Sequence, residues 1–554
     1  MLIDDGHSDM VQMRETTVTA KGKGELQTYW LVDPSLNDTK SSFSSSASSP
    51  LTREPKPTIE ISNREETPAL RTKPQRDTQS ALQRRSTSSA GRGNLRAQLK
   101  RSVGLARMGD METRMIDYNV EVLSQLLKRI MALRIAAAFG SRRRITAPGR
   151  KNSRSFRTSF GSGRSSNRRS SSRGGDAPKI TETARPTFVR DENLTILEEA
   201  ADTIAFPNKD TSNKPDIGSI ELSPSVKQEL HHYVKTLSSL YRFHSFHCFE
   251  HASHTTQSVT KMLARVNIEE NARRKGDSHD ELRNRRHCYM SLIESDPLTQ
   301  FAMAFSALIH HVDHYGVPNA QLVKEKVEIV ELYGNQCVAE QNSVNVAWEL
   351  LMENGYEALR GCIYTTQSEL NHFRQVVVTC VMATDVSNRS AIATRGKRWK
   401  NAFETSKHVI GNEDANDPSI AEINKLRATL VVETMMQASN MAHTMQHWQV
   451  YVKWNERLFA ERYRAFVSGR EVTDPAKTWY KAELDIFDNF TIPLAQKLKD
   501  ENVFGDASEE YLTYALSNRK EWEANGQEIV QRFLETYSHK PSFMVLAKQK
   551  RKSK

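Results

Sequence analysis

Long apolar runs are missing from this chain of 554 residues. The best candidate, IMALRIAAAF, is short and is interrupted by Arg134, whereas a helix that crosses a bilayer needs about 20 apolar residues. The acidic start MLIDDGHSD also lacks the pattern of a signal peptide. We therefore expect a soluble cytoplasmic protein, tethered to the cytoplasmic face of a membrane only if an upstream segment supplies an anchor.

Cysteine is scarce, and its spacing excludes two common uses. The chain has five cysteines: Cys248, Cys288, Cys337, Cys362 and Cys380. An odd number without any CxxC pair argues against a disulfide scaffold and indicates reduced thiols inside a cell.

Acidic residues are absent from Ser141 to Arg173, and the net charge of +11 is concentrated there. Such a Ser/Arg tract is typical of a solvated linker that can be phosphorylated, and contact with a membrane surface or RNA is the alternative. Nothing elsewhere supports a nucleic-acid partner, so we expect none that is specific.

Two further regions are poor in periodic apolar positions. Residues 36–110 are rich in Ser, Thr, Pro and charge, and residues 141–185 contain the Ser/Arg tract. Neither can bury enough apolar surface to fold alone, so both are predicted to be disordered linkers. Residues 541–554 form a basic tail.

An apolar stripe lies between these linkers, in residues 111–140. Its members recur in alternating steps of four and three: Ile116, Val120, Leu123, Leu127 and Ile130. This spacing predicts one amphipathic coupling helix. The stripe either packs against the downstream domain or forms a homodimer through residues 116–130.

Residues 186–540 have the pattern of an all-α domain, because long amphipathic segments follow one another with few strand-like alternations. The clearest segments are SVKQELHHYVKTLSSLYRF, DPLTQFAMAFSALIHH, VEIVELYGNQCVAEQNSVNVAWELLM, LNHFRQVVVTCVMATD, IAEINKLRATLVVETMMQASNMAH and QVYVKWNERLFAERYRAF.

Histidines cluster in two places within this domain. In FHCFEHASHTTQ, His247 and His251 are four residues apart and share a helix face. In ALIHHVDHYG, His310 and His311 end an apolar helix, followed by Asp313 and His314. Ligand-capable side chains around a buried helix end carry a desolvation cost unless something binds them, so we expect a divalent metal.

These motifs resemble the catalytic domain of class I 3′,5′-cyclic-nucleotide phosphodiesterases, a multi-helix fold of the HD type with two metals in a deep pocket. FHCFEHASHTTQ is similar to the family's YHNxxHAxDVxQ, and ALIHHVDHYGVPNAQL to its HDVDHPGxxN. VVTCVMATDVS is similar to the ATDM helix, ASNMAHTMQHW to the ADxSH segment, and ELDIFDNFTIPL to the stretch with the purine-binding glutamine.

The resemblance implies a role for each matching residue. His247 would be the general acid that protonates the departing O3′, and His251 and His310 would bind the tighter, zinc-like metal. Asp313 and His314 would support the site. Glu340 and Asp385 would lie near a second metal, Mg or Mn.

The chain departs from the family pattern at several site positions. His311 replaces the aspartate that bridges both metals, and Asn440 replaces the distal metal aspartate. Cys248 and His254 replace an asparagine and an aspartate of the first motif. The zinc-like site would keep His251, His310 and His311, whereas the second site would lose its principal anchor.

Two functions therefore compete. The domain either hydrolyses cyclic GMP or cyclic AMP to the 5′-monophosphate, or it is a catalytically impaired relative that binds nucleotide and regulates a partner domain. Glu483 replaces the nucleotide-selecting glutamine and favours guanine, since a carboxylate only accepts hydrogen bonds. Ile486 replaces the aromatic clamp.

The N-terminal stretch ETTVTAKGKGELQTYWLVD resembles the closing hairpin of a class III nucleotide cyclase, which ends KGKGxxxTYWL. We interpret residues 1–35 as the C-terminal remnant of such a domain. The natural protein would then be a longer cyclase–phosphodiesterase fusion.

Overall fold

The computed structural model of the protein describes residues 11–13, 18–20, 24–26, 29–31, 110–145, 195–207, 218, 220–266, 289–404 and 418–538. Its contacts divide the chain into two units, Met1–Ser86 and Thr87–Lys554. Among the described residues, no helix combines the length and the apolar character that crossing a membrane requires.

The first unit contains four short strands: β1 (Val11–Met13), β2 (Val18–Ala20), β3 (Gly24–Leu26) and β4 (Tyr29–Leu31). Strand β2 pairs with β3 and β1 pairs with β4, both antiparallel. The antiparallel pairing of β2 with β3, which are close in sequence, is as expected for a hairpin. Its relation to a cyclase stays a prediction.

The second unit is built from helices, which confirms the predicted all-α class. The first eight are α1 (Asp110–Ile145), α2 (Ile196–Ala201), α3 (Pro224–Leu240), α4 (Phe249–Arg265), α5 (Pro297–Ile309), α6 (Asn319–Glu325), α7 (Glu328–Tyr333) and α8 (Val338–Met352). The next eight are α9 (Glu357–Ile363), α10 (Gln367–Ala383), α11 (Arg389–Phe403), α12 (Pro418–Asn440), α13 (Trp448–Val467), α14 (Pro475–Ile486), α15 (Ile492–Asp500) and α16 (Ser508–Ser538). Short 3₁₀ turns at Ala442–Met445 and Gly505–Ala507 and a π-helical turn at Phe487–Thr491 complete the described elements.

Helix α5 is the centre of the domain. Asp296 caps its N-terminus by accepting a hydrogen bond from the Thr299 backbone N–H, and Pro297 occupies the first turn, where its missing N–H costs nothing. Every residue from Leu298 to Ile309 is buried, because helices α1, α4, α8, α10 and α12 contact it. A helix whose residues are largely apolar on every side is stable only where other helices surround it. The histidines that follow it are thereby delivered to the interior.

The apolar stripe of helix α1 packs against the rest of the domain. Ile116, Leu123, Leu127 and Ile130 are buried in the main core, where α1 contacts α3, α4, α5 and α9. The guanidinium of Arg134 donates to the carbonyl oxygens of Cys362 and Ile363 at 2.6 and 2.8 Å, at the end of α9. The first of the two predicted alternatives, packing against the domain, therefore describes this stripe, and a homodimer through residues 116–130 is not shown.

The predicted boundaries need correction at α1 and α8. Helix α1 runs five residues beyond the predicted end at 140, because SRRR is rich in helix-forming arginine. The segment predicted as one helix from Val327 to Met352 divides into α7 and α8. Gly334 and Cys337 have φ of +71° and +47°, and a left-handed residue cannot continue a right-handed helix.

Several predictions lie outside the described residues. They are the linker at 36–109, the remainder of the second linker at 146–185, and the basic tail at 541–554.

Candidate metal centre

The ends of several helices meet at a cavity of about 210 Å³. The turn after α5 contributes His311 and His314, and α12 ends at Asn440. His251 of α4 and His310 are buried and do not line the cavity, but both rings lie against the Asn440 side chain. The cavity wall includes His247, His311, His314, Glu340, Asp385, Asn440, Glu461, Glu483 and Ile486. The structure therefore brings most of the predicted site residues to one place.

The Asn440 side chain lies between two imidazoles. Its Nδ2 donates to the Thr384 carbonyl oxygen at 3.3 Å, which fixes the amide so that Oδ1 faces the histidines. Oδ1 lies 3.0 Å from Nε2 of His251 and 3.3 Å from Nε2 of His310. Ligand atoms of His251, His310 and His311 all lie within 4.8 Å of one another.

The His310 tautomer shows that this group fits a cation. Its Nδ1 lies 2.8 Å from the Ala307 carbonyl oxygen, which can only accept, so Nδ1 carries the proton. In the neutral ring Nε2 is then a bare lone pair that faces the Asn440 oxygen, another acceptor. His310 and Asn440 would be able to hold a divalent metal, which would relieve this unfavourable contact.

Burial keeps these imidazoles neutral, as metal ligands must be. It lowers the pKa of His310 to about 4. Burial first, and the neighbouring His310 second, hold the pKa values of His251 and His311 well below the ordinary value. Nδ1 of His251 is buried without a hydrogen-bond partner.

His247 is positioned by a carboxylate that the sequence motifs did not indicate. The Glu461 carboxylate accepts hydrogen bonds from the backbone N–H groups of Phe246 and His247 at 2.9 and 3.1 Å, and a short one from Nδ1 of His247. Burial alone would raise the pKa of Glu461, but the His247 charge and hydrogen bond hold it below the ordinary value. Glu461 is therefore an ionised partner that holds His247.

Glu461 was detectable in principle. Buried positions of α13 include Tyr451, Trp454, Glu461 and Ala465, and Glu461 is the one acid among them. An acid on the apolar stripe of a helix needs a buried partner, which is a signal for a functional or structural pair.

His314 and Asp313 occupy different surroundings. The His314 ring stacks on His247 with 3.8 Å between ring centroids, and its Nδ1 accepts from the Gly316 N–H at 3.1 Å. Asp313 does not line the cavity. Its two oxygens accept from Arg242 Nε at 2.6 Å and from Asn342 Nδ2 at 3.0 Å, so it supports the turn rather than the cavity.

Glu340, Asp385 and Cys337 form a second group of polar side chains. Nδ2 of Asn319 donates to both carboxylates, at 2.8 and 3.2 Å. Ligand atoms of Cys337, Glu340 and Asp385 lie within 4.8 Å of one another. Burial, and then the charge of Asp385, raises the pKa of Glu340 to about 8.

Glu483 and Ile486 line the remaining wall, at the end of α14. The Tyr451 hydroxyl donates to Oε2 of Glu483 at 2.8 Å. Burial raises the pKa of Glu483 to about 7. His254 does not reach the cavity, since it lies beside Trp454 with its Nε2 3.3 Å from Oε1 of Gln446.

The fold and the cavity define an all-helical domain with a histidine-rich candidate metal centre. Comparison with known proteins specifies it further: residues 246–498 match the 3′5′-cyclic nucleotide phosphodiesterase family. This match indicates a catalytic domain of the class I 3′,5′-cyclic-nucleotide phosphodiesterases, a family of enzymes, in this region of the chain.

Similar proteins are related at low identity. The probable 3′,5′-cyclic-AMP phosphodiesterase pde-4 of Caenorhabditis elegans is 24% identical over 236 residues, 42% of this chain and 29% of that protein. The mouse 3′,5′-cyclic-AMP phosphodiesterase 4C is 24% identical over 234 residues, 41% and 32% of the two chains. This chain thus spans less than a third of these relatives. The phosphodiesterase domain of the RhoPDE fusion protein from Salpingoeca rosetta superposes with a TM-score of 0.41 at 19% identity, over 56% of this chain and 85% of that one.

Proposed function

We propose that the domain hydrolyses a 3′,5′-cyclic nucleotide to the 5′-monophosphate with the help of a divalent metal. The observation that carries the proposal is the juxtaposition of a carboxylate-held histidine with a group of neutral, buried imidazoles. The Glu461–His247 pair supplies an acid, and the group of His251, His310 and His311 supplies metal ligands.

His247 is assigned as the general acid. Because its Nδ1 is held by Glu461, the ring is oriented with Nε2 free to carry a second proton toward the cavity it lines. Glu461 stabilises the imidazolium form by a charge-assisted hydrogen bond. The Nε2 proton would pass to O3′ of the substrate as the P–O3′ bond breaks.

The metal at the first site is assigned as zinc-like, because three neutral imidazoles suit that ion. A divalent metal held there would supply a hydroxide nucleophile at neutral pH by lowering the pKa of water. Asn440 takes part with an amide oxygen, which is a weaker ligand than a carboxylate because it carries no charge. The Mg or Mn of a second site would therefore lack a carboxylate bridge to the first.

Cyclic GMP is the preferred nucleotide in this proposal. The ionised Glu483 carboxylate can accept from the N1–H and the exocyclic amine of guanine, whereas N1 of adenine has no proton to donate. Ile486 offers an apolar surface to the base but no ring to stack on it.

The competing hypothesis is a nucleotide-binding module without turnover, and the losses at His311 and Asn440 favour it. Both positions lack the charge that holds a metal strongly. An assay of the purified full chain with Zn, Mg and Mn distinguishes the two hypotheses.

We expect phosphodiester hydrolysis with at least one of these metals and a loss of about 10²–10⁴-fold in kcat for His247→Asn. His231→Asn, at a surface position of α3, is the matched control. If the folded wild-type protein hydrolyses neither nucleotide with any metal, the enzymatic proposal fails. Equilibrium dialysis with cyclic GMP then tests the binding module.

A further inference from the structure

His254 departs from the first motif of the family and lines a groove that the proposed function does not use. The groove has a volume of about 750 Å³ and lies between the start of α1, the middle of α4 and the start of α13. It shares no wall residue with the metal cavity. A volume of this size is sufficient for a small organic molecule.

One part of the groove wall is apolar and aromatic. Met111 and Tyr118 of α1 line it and are 60% and 39% exposed. The His254 ring packs on the Trp454 indole, with 5.4 Å between the ring centroids and 33° between the planes. Binding sites for small molecules are lined mainly by such side chains, and flat rings are good contacts for a planar ligand.

The charged side chains of the groove wall leave an excess of positive charge. The cations are Arg114 and Lys453, and the acid is Glu250. Arg457, which lies outside the groove, already pairs with Glu250 at 2.5 Å, whereas Lys453 lies 3.7 Å from the same carboxylate. Arg114 is exposed and forms no ion pair with another described residue. The groove is therefore complementary to an anion.

Polar groups with unused hydrogen-bonding capacity complete the groove wall. Nε2 of His254 lies 3.3 Å from Oε1 of Gln446, which can only accept, so Nε2 carries the proton. Nδ1 of the neutral ring is then an acceptor, and it is buried without a hydrogen-bond partner. The Gln257 and Gln449 side chains are exposed and form no hydrogen bond within the part of the chain that the structure describes. Amides of this kind can both donate to and accept from the edge of a heteroaromatic ring.

We propose that this groove binds a planar heteroaromatic molecule that carries a phosphate group. Arg114 and Lys453 bind the phosphate, since two cations suit the double negative charge of a phosphate monoester. The ring system lies on the apolar wall, and its polar edge contacts the amides. The Trp454 indole also packs on His251, with 5.3 Å between centroids, so a single indole separates the groove from the imidazole group. The proposal does not rest on the proposed function, because no residue of the metal cavity takes part in it.

Photolabelling with 8-azido-5′-AMP, which is a planar heteroaromatic phosphate, tests the site without any turnover. The full chain is treated with a chelator, irradiated with the probe and digested, and the labelled residues are identified by mass spectrometry. We expect labels within residues 111–118 or 446–454, which contribute to the groove wall. Unlabelled 5′-AMP should remove these labels, whereas inorganic phosphate at the same concentration should not.

Charge reversal at the two cations should weaken binding. Arg114→Glu with Lys453→Glu should reduce the labelling by about tenfold or more, because two attractions become repulsions. Both side chains are exposed, so the fold should not change. Arg114→Lys with Lys453→Arg keeps the charges and should keep the labelling. Lys477→Glu, at an exposed position of α14 outside both cavities, is the matched control.

Three outcomes would overturn the inference. Labels that are absent, or confined to residues of the metal cavity, would mean that the groove does not bind the probe. Equal labelling of the charge-reversed and wild-type proteins would mean that Arg114 and Lys453 do not hold the phosphate. Competition by inorganic phosphate as strong as that by 5′-AMP would mean that the groove does not recognise a planar ring.

Discussion

The Glu483 carboxyl lies at the end of a one-way chain of hydrogen bonds. The Trp479 indole can only donate, and it donates to Oδ1 of Asn455 at 3.1 Å. The Asn455 amide then donates to the Tyr451 hydroxyl at 3.4 Å, and that hydroxyl donates to Glu483 at 2.8 Å. Because the first donor cannot be reversed, one oxygen of Glu483 is committed to Tyr451. In the proposed function the other oxygen would accept from the base.

Glu483→Gln should therefore change the nucleotide preference. The chain would hold the amide oxygen on Tyr451 and leave the NH₂ group facing the base, so we expect the preference for cyclic GMP over cyclic AMP to fall by about tenfold or more, since a mismatched buried polar group is costly. Calorimetric Kd values for both nucleotides, with the metal-loaded protein, measure the change.

The pH dependence provides the control. The pKa of Glu483 is raised to about 7 by burial, so the acceptor-only carboxylate forms as pH rises through neutrality. The wild-type preference for guanine should grow over that range, whereas that of the glutamine variant should not change. An equal rise in both proteins would show that another group selects the base.

At the scale of residues, the sequence predicted the histidines better than their partners. His251 lies on α4 and His310 and His311 follow α5, as their spacing predicted, but His247 precedes α4, which begins at Phe249, so the predicted helix face shared by His247 and His251 is wrong. Glu461 lies more than 200 residues from His247 along the chain and has no local pattern. The spacing of residues predicts which of them share a helix face. The contact between Glu461 of α13 and His247, just before α4, depends on tertiary packing, which spacing does not predict.

At the scale of elements, helix α1 shows how one pattern served two hypotheses. Steps of four and three produce an apolar stripe, and such a stripe packs equally well on its own domain or on a second copy. The sequence could not decide because the partner surface, chiefly α5, is itself apolar on all sides. Asn119 of α1 also donates to the Ser253 hydroxyl at 2.7 Å, so α1 is tied directly to the helix that carries His251.

Leu127→Ala should destabilise the domain itself. Leu127 is 0% exposed, and truncation of a buried leucine to alanine costs about 2–5 kcal/mol in the free energy of unfolding. Urea denaturation measures this loss, and Gln125→Ala, two residues away on the exposed face, is the matched control. If Leu127→Ala instead left unfolding unchanged and altered only the mass measured by sedimentation, the stripe would be a dimer surface after all.

At the scale of the whole molecule, two sets of buried groups oppose each other as pH changes. Burial lowers the pKa of His310 to about 4 and that of His443 to about 3, from an ordinary 6.5. Burial raises the pKa of Glu340 to about 8 and that of Glu483 to about 7, from an ordinary 4.5. Burial thus favours the uncharged form of both the acidic and the basic side chains in this domain.

The signs of the two effects differ. Below pH 6.5 the histidines of the unfolded chain bind protons, whereas the buried histidines of the folded protein do not. Acid therefore lowers the free energy of unfolding. Above pH 4.5 the unfolded chain releases protons that the buried glutamates keep, so alkali lowers stability up to about pH 8. His251, His311 and His314 have lowered pKa values too, so the histidines dominate on the acid side.

The metal-free protein should therefore be most stable near pH 6.5, the ordinary value of histidine. Each unit of pKa shift corresponds to about 1.4 kcal/mol, so the decline on either side should reach several kcal/mol. Urea unfolding across the pH range, in the presence of a chelator, measures the curve. His443→Asn should flatten its acid limb and Glu340→Gln its alkaline limb. A Glu340→Gln curve that declines as steeply above pH 6.5 as that of the wild type would contradict this assignment.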